Sequence, residues 1–293
     1  MGAAEESGQT NMSILDELTA AIPTKTLYHY TDANGFLGIF QAGSIWATSA
    51  YHLNDVQEFR YAIDLITGLL IKRLTPENRQ FNTHYSELAK MLDDIANGVQ
   101  VFVPSFSEEG DLLSQWLAYS GPKNGYAIGF GPEHFRMASR QGFRLVRCVY
   151  KKDEQEALAS KVIDVFCEMR SQGRDVTAEG DDVHDVVMVA VATMKHPGFE
   201  REAEWRLIKP VIMGYEEETV YFRQGRSGIV PYLKASLVGE GERFNPDAIY
   251  LGPNDDMDAA VKAAMTLLYQ GEGPVLPGSQ RRMPIPSKTP YRP

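Results

Sequence analysis

An α+β fold in a single domain is what the sequence predicts, with a mainly antiparallel β core carrying helical blocks near 56–97 and 152–196. Three observations lead there. Short β-prone runs recur from residue 26 to residue 251, and helical periodicity gathers in blocks instead of alternating with each strand. No internal repeat and no long linker divides the 293 residues. A hydrophobic share of 43% against 23% charged supplies apolar surface for one sizeable core.

Residues 1–25 read as a lead: a polar stretch to about residue 11, then a short helix from Ser13 to about Ala21 that Pro23 closes. The domain itself runs over 26–293. Thr26–Thr31 is a β-prone hexapeptide, after which Asp32 or Asn34 can cap a helix with Phe36, Ile39 and Phe40 on its apolar stripe and Gly43 at its end. Ser44–Ser49 is a second strand. Asp55 and Glu58 have capping-box spacing at the head of a helix over roughly 56–74, and another helix ends near Asn97-Gly98.

Val99–Ser107 reads as one strand. Asp111 is placed to cap a helix with Trp116 and Tyr119 on one face, stopped by Gly121-Pro122. Strands follow at Gly125–Phe130 and Phe143–Tyr150, then two helices over 152–196 split by the polar segment Ser171–Asp182. Residues 202–210 form a strand, Thr219–Leu237 is extended and broken at Gly225, Gly228 and Pro231, and 247–251 is a strand before a helix from Asp255 to about Tyr269.

The net charge of −10 excludes a general affinity for nucleic acid or anionic membrane. The tail beyond Gly273 runs the other way, with Arg281, Arg282, Lys288 and Arg292 and no acid. The opening MGAAEESGQT has no apolar core for a secretion signal, and Glu6 stands where myristoylation wants Ser or Thr. No apolar run reaches the roughly 18 residues of a membrane span. A cytoplasmic protein with no membrane partner is expected, with Cys148 and Cys167 reduced and mostly buried.

Standard catalytic signatures are absent: no Gly-rich phosphate loop, no G-x-S-x-G and no H-E-x-x-H. None of the six histidines is spaced for a zinc site, so no metal is expected. What remains centres on Glu202-Ala203-Glu204-Trp205-Arg206-Leu207-Ile208, where charged and apolar residues alternate with the period of a half-buried strand. That period puts Glu202, Glu204 and Arg206 on one face, with the two carboxylates' Cα atoms about 6.6 Å apart. An edge strand charged against aggregation would look the same. His29 between two tyrosines, Ser105 and Ser107 at a strand end, and Tyr119 on a helix are further candidates. Each also has an ordinary reading as a core or strand-end residue.

The ordered series LYHYT, LND, SFSE, W-x-x-Y, GYAIGF, E-x-E-W-R, YLGP and SKTPYR resembles an uncharacterised bacterial family, domain of unknown function 2971. That family is grouped by distant similarity with the ADP-ribosyltransferases. The resemblance implies a split β-sheet core of ADP-ribosyltransferase type and NAD as a substrate, with ADP-ribose passing to an unknown acceptor: protein, nucleic acid or small molecule. Toxin or phage-defence biology is what such families imply.

By the same resemblance Glu204 attends the ribose, Glu202 assists the acceptor and His29 holds ribose or diphosphate. Tyr30, Thr31, Ser105, Ser107, Tyr119 and Arg206 contribute to NAD binding, Arg206 by keeping the carboxylates ionised. The chemistry fits, because a cationic leaving group needs no general acid and one carboxylate can stabilise an oxocarbenium-like transition state. Two other readings stand beside it: a non-catalytic nucleotide- or protein-binding module, and a paired-carboxylate glycoside or nucleoside hydrolase.

Overall fold

A computed structural model describes residues 15, 17–19, 23–52, 57–97, 100–120, 124–174, 182–211, 219–225, 228–270 and 283–289. In chain order the elements are β1 (Leu27–Thr31), α1 (Ala33–Ala42), β2 (Ser44–Ser49), α2 (Gln57–Arg73), α3 (Asn82–Asn97), β3 (Gln100–Val103) and β4 (Ser105–Ser107). Then come α4 (Leu113–Tyr119), β5 (Tyr126–Phe130), α5 (Pro132–Ser139), β6 (Arg144–Arg147), α6 (Lys152–Ser171), α7 (Asp182–Thr193) and β7 (Glu204–Val211). The chain closes with β8 (Tyr221–Gly225), β9 (Gly228–Ser236), β10 (Ala248–Leu251), α8 (Met257–Tyr269) and β11 (Ile285–Pro286).

The fold is mixed α and β with a mostly antiparallel open sheet. β7 is its hub. One edge pairs with β6, and the other with β3 and β4 in turn. From β4 the sheet continues through β1, β5, β10 and β11, and from β3 through β2, β9 and β8. Among the described strands only β10 and β11 pair in parallel.

Pro104 divides what periodicity reads as one strand over Val99–Ser107. Its carbonyl still accepts the Leu207 N–H at 3.1 Å, but its ring has no N–H to return. At this break β1 and β2 part company, β1 following β4 and β2 following β3. A gap opens through the sheet between them.

β7 shows why the two faces differ. Trp205 and Leu207 enter one apolar core with Phe36, Phe106, Phe130 and Phe244, under α1, α5 and α8. Ile208 enters the other core with Ile66, Leu88, Phe166 and Val187. The two helical blocks, distant in sequence, therefore pack together as one layer of α2, α3, α6 and α7. Leu15, from the expected Ser13–Ala21 helix, joins that core, although most of that helix lies outside the described residues.

Asp32, not Asn34, caps α1, accepting the Gly35 N–H at 2.8 Å, and Gly43 ends the helix in the left-handed conformation at φ 60°. A Cβ on Gly35 would stand 1.9 Å from the Thr31 hydroxyl, so any larger residue in that first turn has to displace the Thr31 side chain. Residues 132–139, which periodicity left unassigned, form α5 because Pro132 sits in the first turn, where no N–H is needed.

Several expectations need correction. Asp111 is not the cap of α4, whose N-cap is Leu112; its carboxylate instead accepts Trp116 Nε1 at 2.8 Å and the Lys288 N–H at 2.7 Å, holding the C-terminal segment. Trp116 and Tyr119 do not share a fate. Trp116 is buried under Tyr30, whereas Tyr119 is 40% exposed. The capping-box partner Asp55 and the cations Arg281, Arg282 and Arg292 lie outside the described residues. Cys148 and Cys167 are free, buried thiols. No helix among the described residues is long and apolar enough to cross a membrane.

Candidate functional site

The residues singled out in E-x-E-W-R are not consecutive positions of one half-buried strand. β7 begins at Glu204, and Glu202 ends a 3-10 turn over Pro197–Glu202. Between them Ala203 takes the left-handed conformation at φ 43°. The strand is also buried on both faces: Glu204 is 5% exposed, Trp205 5% and Arg206 2%. A charged solvent-facing edge is thereby excluded, since β7 has neighbours on both edges and helices over both faces.

The backbone around the turn is pinned residue by residue. Ser107 Oγ donates to the Glu202 carbonyl at 2.8 Å and accepts the Glu109 N–H at 3.1 Å. The Glu204 N–H donates to Tyr150 Oη at 2.8 Å, and the Cys148 N–H to the Glu204 carbonyl at 2.9 Å. The left-handed Ala203 is thus held by its neighbours, and the two carboxylates converge despite leaving the chain in different conformations.

They converge on Lys195. Its Nζ lies 2.7 Å from Glu202 Oε2, 3.2 Å from Glu58 Oε1 and in contact with Glu204 Oε2. Arg206 closes the cluster: Nε donates to Glu204 Oε1 at 2.8 Å, Nη2 binds Glu58, and Nη1 donates to the Ala192 carbonyl at 2.8 Å. Both cations sit at the C-terminal end of α7, where unpaired carbonyls favour positive charge. Lys195 is itself clamped, because Gln155 Nε2 donates to its carbonyl and to that of Val149, each at 2.7 Å.

Formal charge does not cancel. Glu58, Glu202 and Glu204 set three negative charges against the two of Lys195 and Arg206, leaving a net −1. Burial by itself would raise the Glu204 pKa, but Arg206 and Lys195 overcome it and hold the carboxyl at about 2. Lys195 and Arg206 are driven the other way: burial disfavours their charge, and the surrounding carboxylates more than restore it. Glu204 is therefore a fixed anion with both oxygens engaged, while Glu202 Oε1 has no hydrogen-bond partner among the described residues.

Glu58 and Lys195 are the site residues that sequence reasoning missed. Spacing reads Glu58 as a capping-box residue, whereas in the folded chain it is 7% exposed and inside the cluster. One signal was present, because Glu58, Ala62 and Ile66 stand four apart and share the buried stripe of α2. Lys195 likewise terminates a chargeless run, Val186–Met194, and a lone lysine closing such a run calls for a buried partner.

The cluster forms one wall of a cavity of about 500 Å³ that opens through the gap between β1 and β2, a volume suited to a small molecule. His29, Tyr30, Thr31, Ser105, Tyr119, Glu202, Glu204 and Arg206 all line it. Ser107 does not; its hydroxyl is committed to the backbone of the turn. Tyr30 offers little beyond its backbone, since its ring is edge-on to Trp116 at 4.7 Å and its hydroxyl joins the Glu109 carbonyl and the Leu112 N–H. Tyr119 is then the expected tyrosine with an exposed ring on this cavity, its phenol pushed up to about 12 by burial and by Glu204 and Glu202.

His29 exploits the split. The Ser105 carbonyl has lost its neighbouring strand there, and His29 Nδ1 lies 2.9 Å away. A carbonyl only accepts, so Nδ1 carries the proton, and Nε2 is left as an acceptor. Burial lowers the imidazole's pKa despite this hydrogen bond, which keeps the ring neutral at pH 7.

Glu133, His134 and Asp247 form the one group of possible metal ligands among the described residues. His134 Nδ1 already accepts the Gly131 N–H at 3.1 Å, which spends the lone pair a metal would need.

No curated protein and no solved structure matches the chain. Residues 115–207, from the cavity-lining Gln115 through Tyr119, Lys195, Glu202, Glu204 and Arg206 to Leu207, match the model of an uncharacterised domain family, described as protein of unknown function (DUF2971).

Proposed function

We propose that this chain is an ADP-ribosyltransferase-like enzyme that uses NAD and transfers ADP-ribose to an acceptor. One observation carries the reading: a buried ion cluster with a net negative charge shares a small-molecule-sized cavity with a neutral histidine and an exposed tyrosine ring. In the reaction the bond from ribose C1′ to the nicotinamide nitrogen breaks, and its electron pair neutralises the ring. Positive charge grows on the ribose, and the fixed Glu204 anion with its excess neighbouring charge stabilises it without reorganising.

Glu202, with one free oxygen, is the group that takes the proton of an attacking acceptor as its bond to C1′ forms. His29 Nε2 accepts from a ribose hydroxyl, and Tyr119 stacks on the departing ring. Incubation of the protein with labelled NAD and cell lysate tests this. Nicotinamide release and label transfer are expected, falling about 100-fold or more in Glu202→Gln, whose substitution leaves the folded cluster electrostatically less strained. Wild-type protein that neither releases nicotinamide nor transfers label refutes the reading.

A second reading has its own support. Lys195 and Arg206 engage both oxygens of Glu204, as in a cluster built for stability around a nucleotide-binding cleft. It predicts ligand binding without turnover, unaffected by Glu202→Gln.

A further inference from the structure

Opposite in character to the carboxylate wall is the stretch of the same cavity formed by β2 and the β8–β9 hairpin. Register places Trp46 and Thr48 of β2, Tyr232 and Lys234 of β9, and Tyr221 and Arg223 of β8 on one face of the sheet. Among the described residues that face carries two cations, three aromatic rings and no carboxylate. Arg223 reaches across β9 to Thr48, donating from Nη2 to Oγ1 at 3.2 Å. Its buried Nε–H has no partner among the described residues, and neither does Arg223 form an ion pair there. A guanidinium is seldom left so, because it desolvates with a donor unused.

Trp46, Thr48 and Arg223 line the cavity. Trp46 is 45% exposed and rests on Tyr232 with ring centroids 4.5 Å apart, so one of its faces is held and the other is open. A fixed, unpaired guanidinium beside a hydroxyl suits a phosphoryl group, and a supported open indole suits a nucleobase. β2 stands two strand spacings from β7, about 10 Å, which separates this end from the anions that would repel a phosphate.

We propose that Arg223 and Thr48 form a phosphoryl subsite for a nucleoside diphosphate, with Trp46 as the stacking wall for its base. The subsite deepens the NAD reading and rests on it for the identity of the full ligand: the diphosphate lies at Arg223 and the nicotinamide ribose at Glu204. Binding to the full chain is measured by titration calorimetry with ADP and with pyrophosphate. Wild-type protein binds both, Arg223→Ala loses about tenfold or more for each, and Arg223→Lys, a charge without the fork, falls between. Trp46→Ala weakens ADP and leaves pyrophosphate unchanged.

Absence of ADP binding to the wild type overturns the subsite, as does equal ADP affinity in Arg223→Ala with an unchanged melting temperature. The two proposals fail separately. ADP bound through Arg223 with no nicotinamide release from NAD keeps the subsite and removes the transferase, while NAD cleavage indifferent to Arg223→Ala removes the subsite and keeps the transferase.

Discussion

Lys195→Met removes the cation on which three carboxylates converge, and its cost can be worked from the structure. Lys195 is 3% exposed and faces Glu58, Glu202 and Glu204. After the substitution Arg206 alone opposes three carboxylates, and the formal charge goes from −1 to −2. Removing one partner of a buried ion pair typically costs about 3–5 kcal/mol, because the remaining charge is left desolvated and uncompensated. Glu204 gives an independent figure of the same size. Its shift from 4.5 to about 2 corresponds to roughly 3 kcal/mol of net stabilisation of the anion, what the two cations supply beyond the penalty of burying it.

The pH dependence follows from the direction of that shift. With the folded value below the unfolded one, the stabilisation is fully present above about pH 4.5 and is lost as pH falls through about 2. Deleting Lys195 lets the Glu204 value rise, so the acid limb of the melting curve moves to higher pH. With an unfolding entropy of about 0.6 kcal/mol/K for a chain of this length, the melting temperature at pH 7 drops by roughly 5–8 °C. Circular-dichroism melts of wild type and variant between about pH 2 and pH 7 measure both effects. A variant melting within 2 °C of wild type, with the same acid limb, would refute the reasoning.

Ser107→Ala leaves the Glu202 carbonyl and Glu109 N–H without their shared hydroxyl, at a cost of about 1–3 kcal/mol read as a shift in the denaturant midpoint. Ala203→Gly relieves a left-handed residue and raises the melting temperature by about 2 °C, about 1 kcal/mol; an unchanged or lower value would mean that Ala203 is not strained. Asp111→Ala cuts the ties to Ser287, Lys288 and Thr289, so limited proteolysis removes the C-terminal segment several times faster while the remainder stays folded.

How much of this was legible depended on the range of each interaction. The alternation in β7 is a local signal, and it correctly separated Glu204 and Arg206 from Trp205 and Leu207. The same pattern misplaced Glu202, because the left-handed turn at Ala203 depends on a hydrogen bond donated by Ser107 and one accepted by Tyr150, both remote in sequence. The Arg206–Glu58 pair spans 148 residues, and a capping box was the nearest local explanation for Glu58. Asp111 misled for a similar reason: cap chemistry is visible locally, whereas its contact with Ser287 comes from the far end of the chain. Pro104 was visible as a residue, but its consequence required knowing that β1 and β2 pair with opposite sides of the break.

The inserted helical blocks acquire a purpose from the cluster. Glu58 arrives on α2 from one block and Lys195 just beyond α7 from the other, and they meet over Glu204 and Arg206 of the central strand. Neither charge could be buried alone, since each would be an isolated ion in an apolar layer formed by residues such as Ile66 and Val187. The acidic wall of the cavity is therefore assembled only when both blocks are docked on the sheet. The docking that brings in Lys195 helps keep the Glu204 carboxyl at about 2, so it stays ionised although it is fully desolvated. The docking of both helical blocks and the burial of the ion cluster are tied at one point, so substitutions at the helical contacts of Glu58 and Lys195 loosen the cluster before they unfold the sheet, read as faster amide exchange in α2 and α7 than in β7.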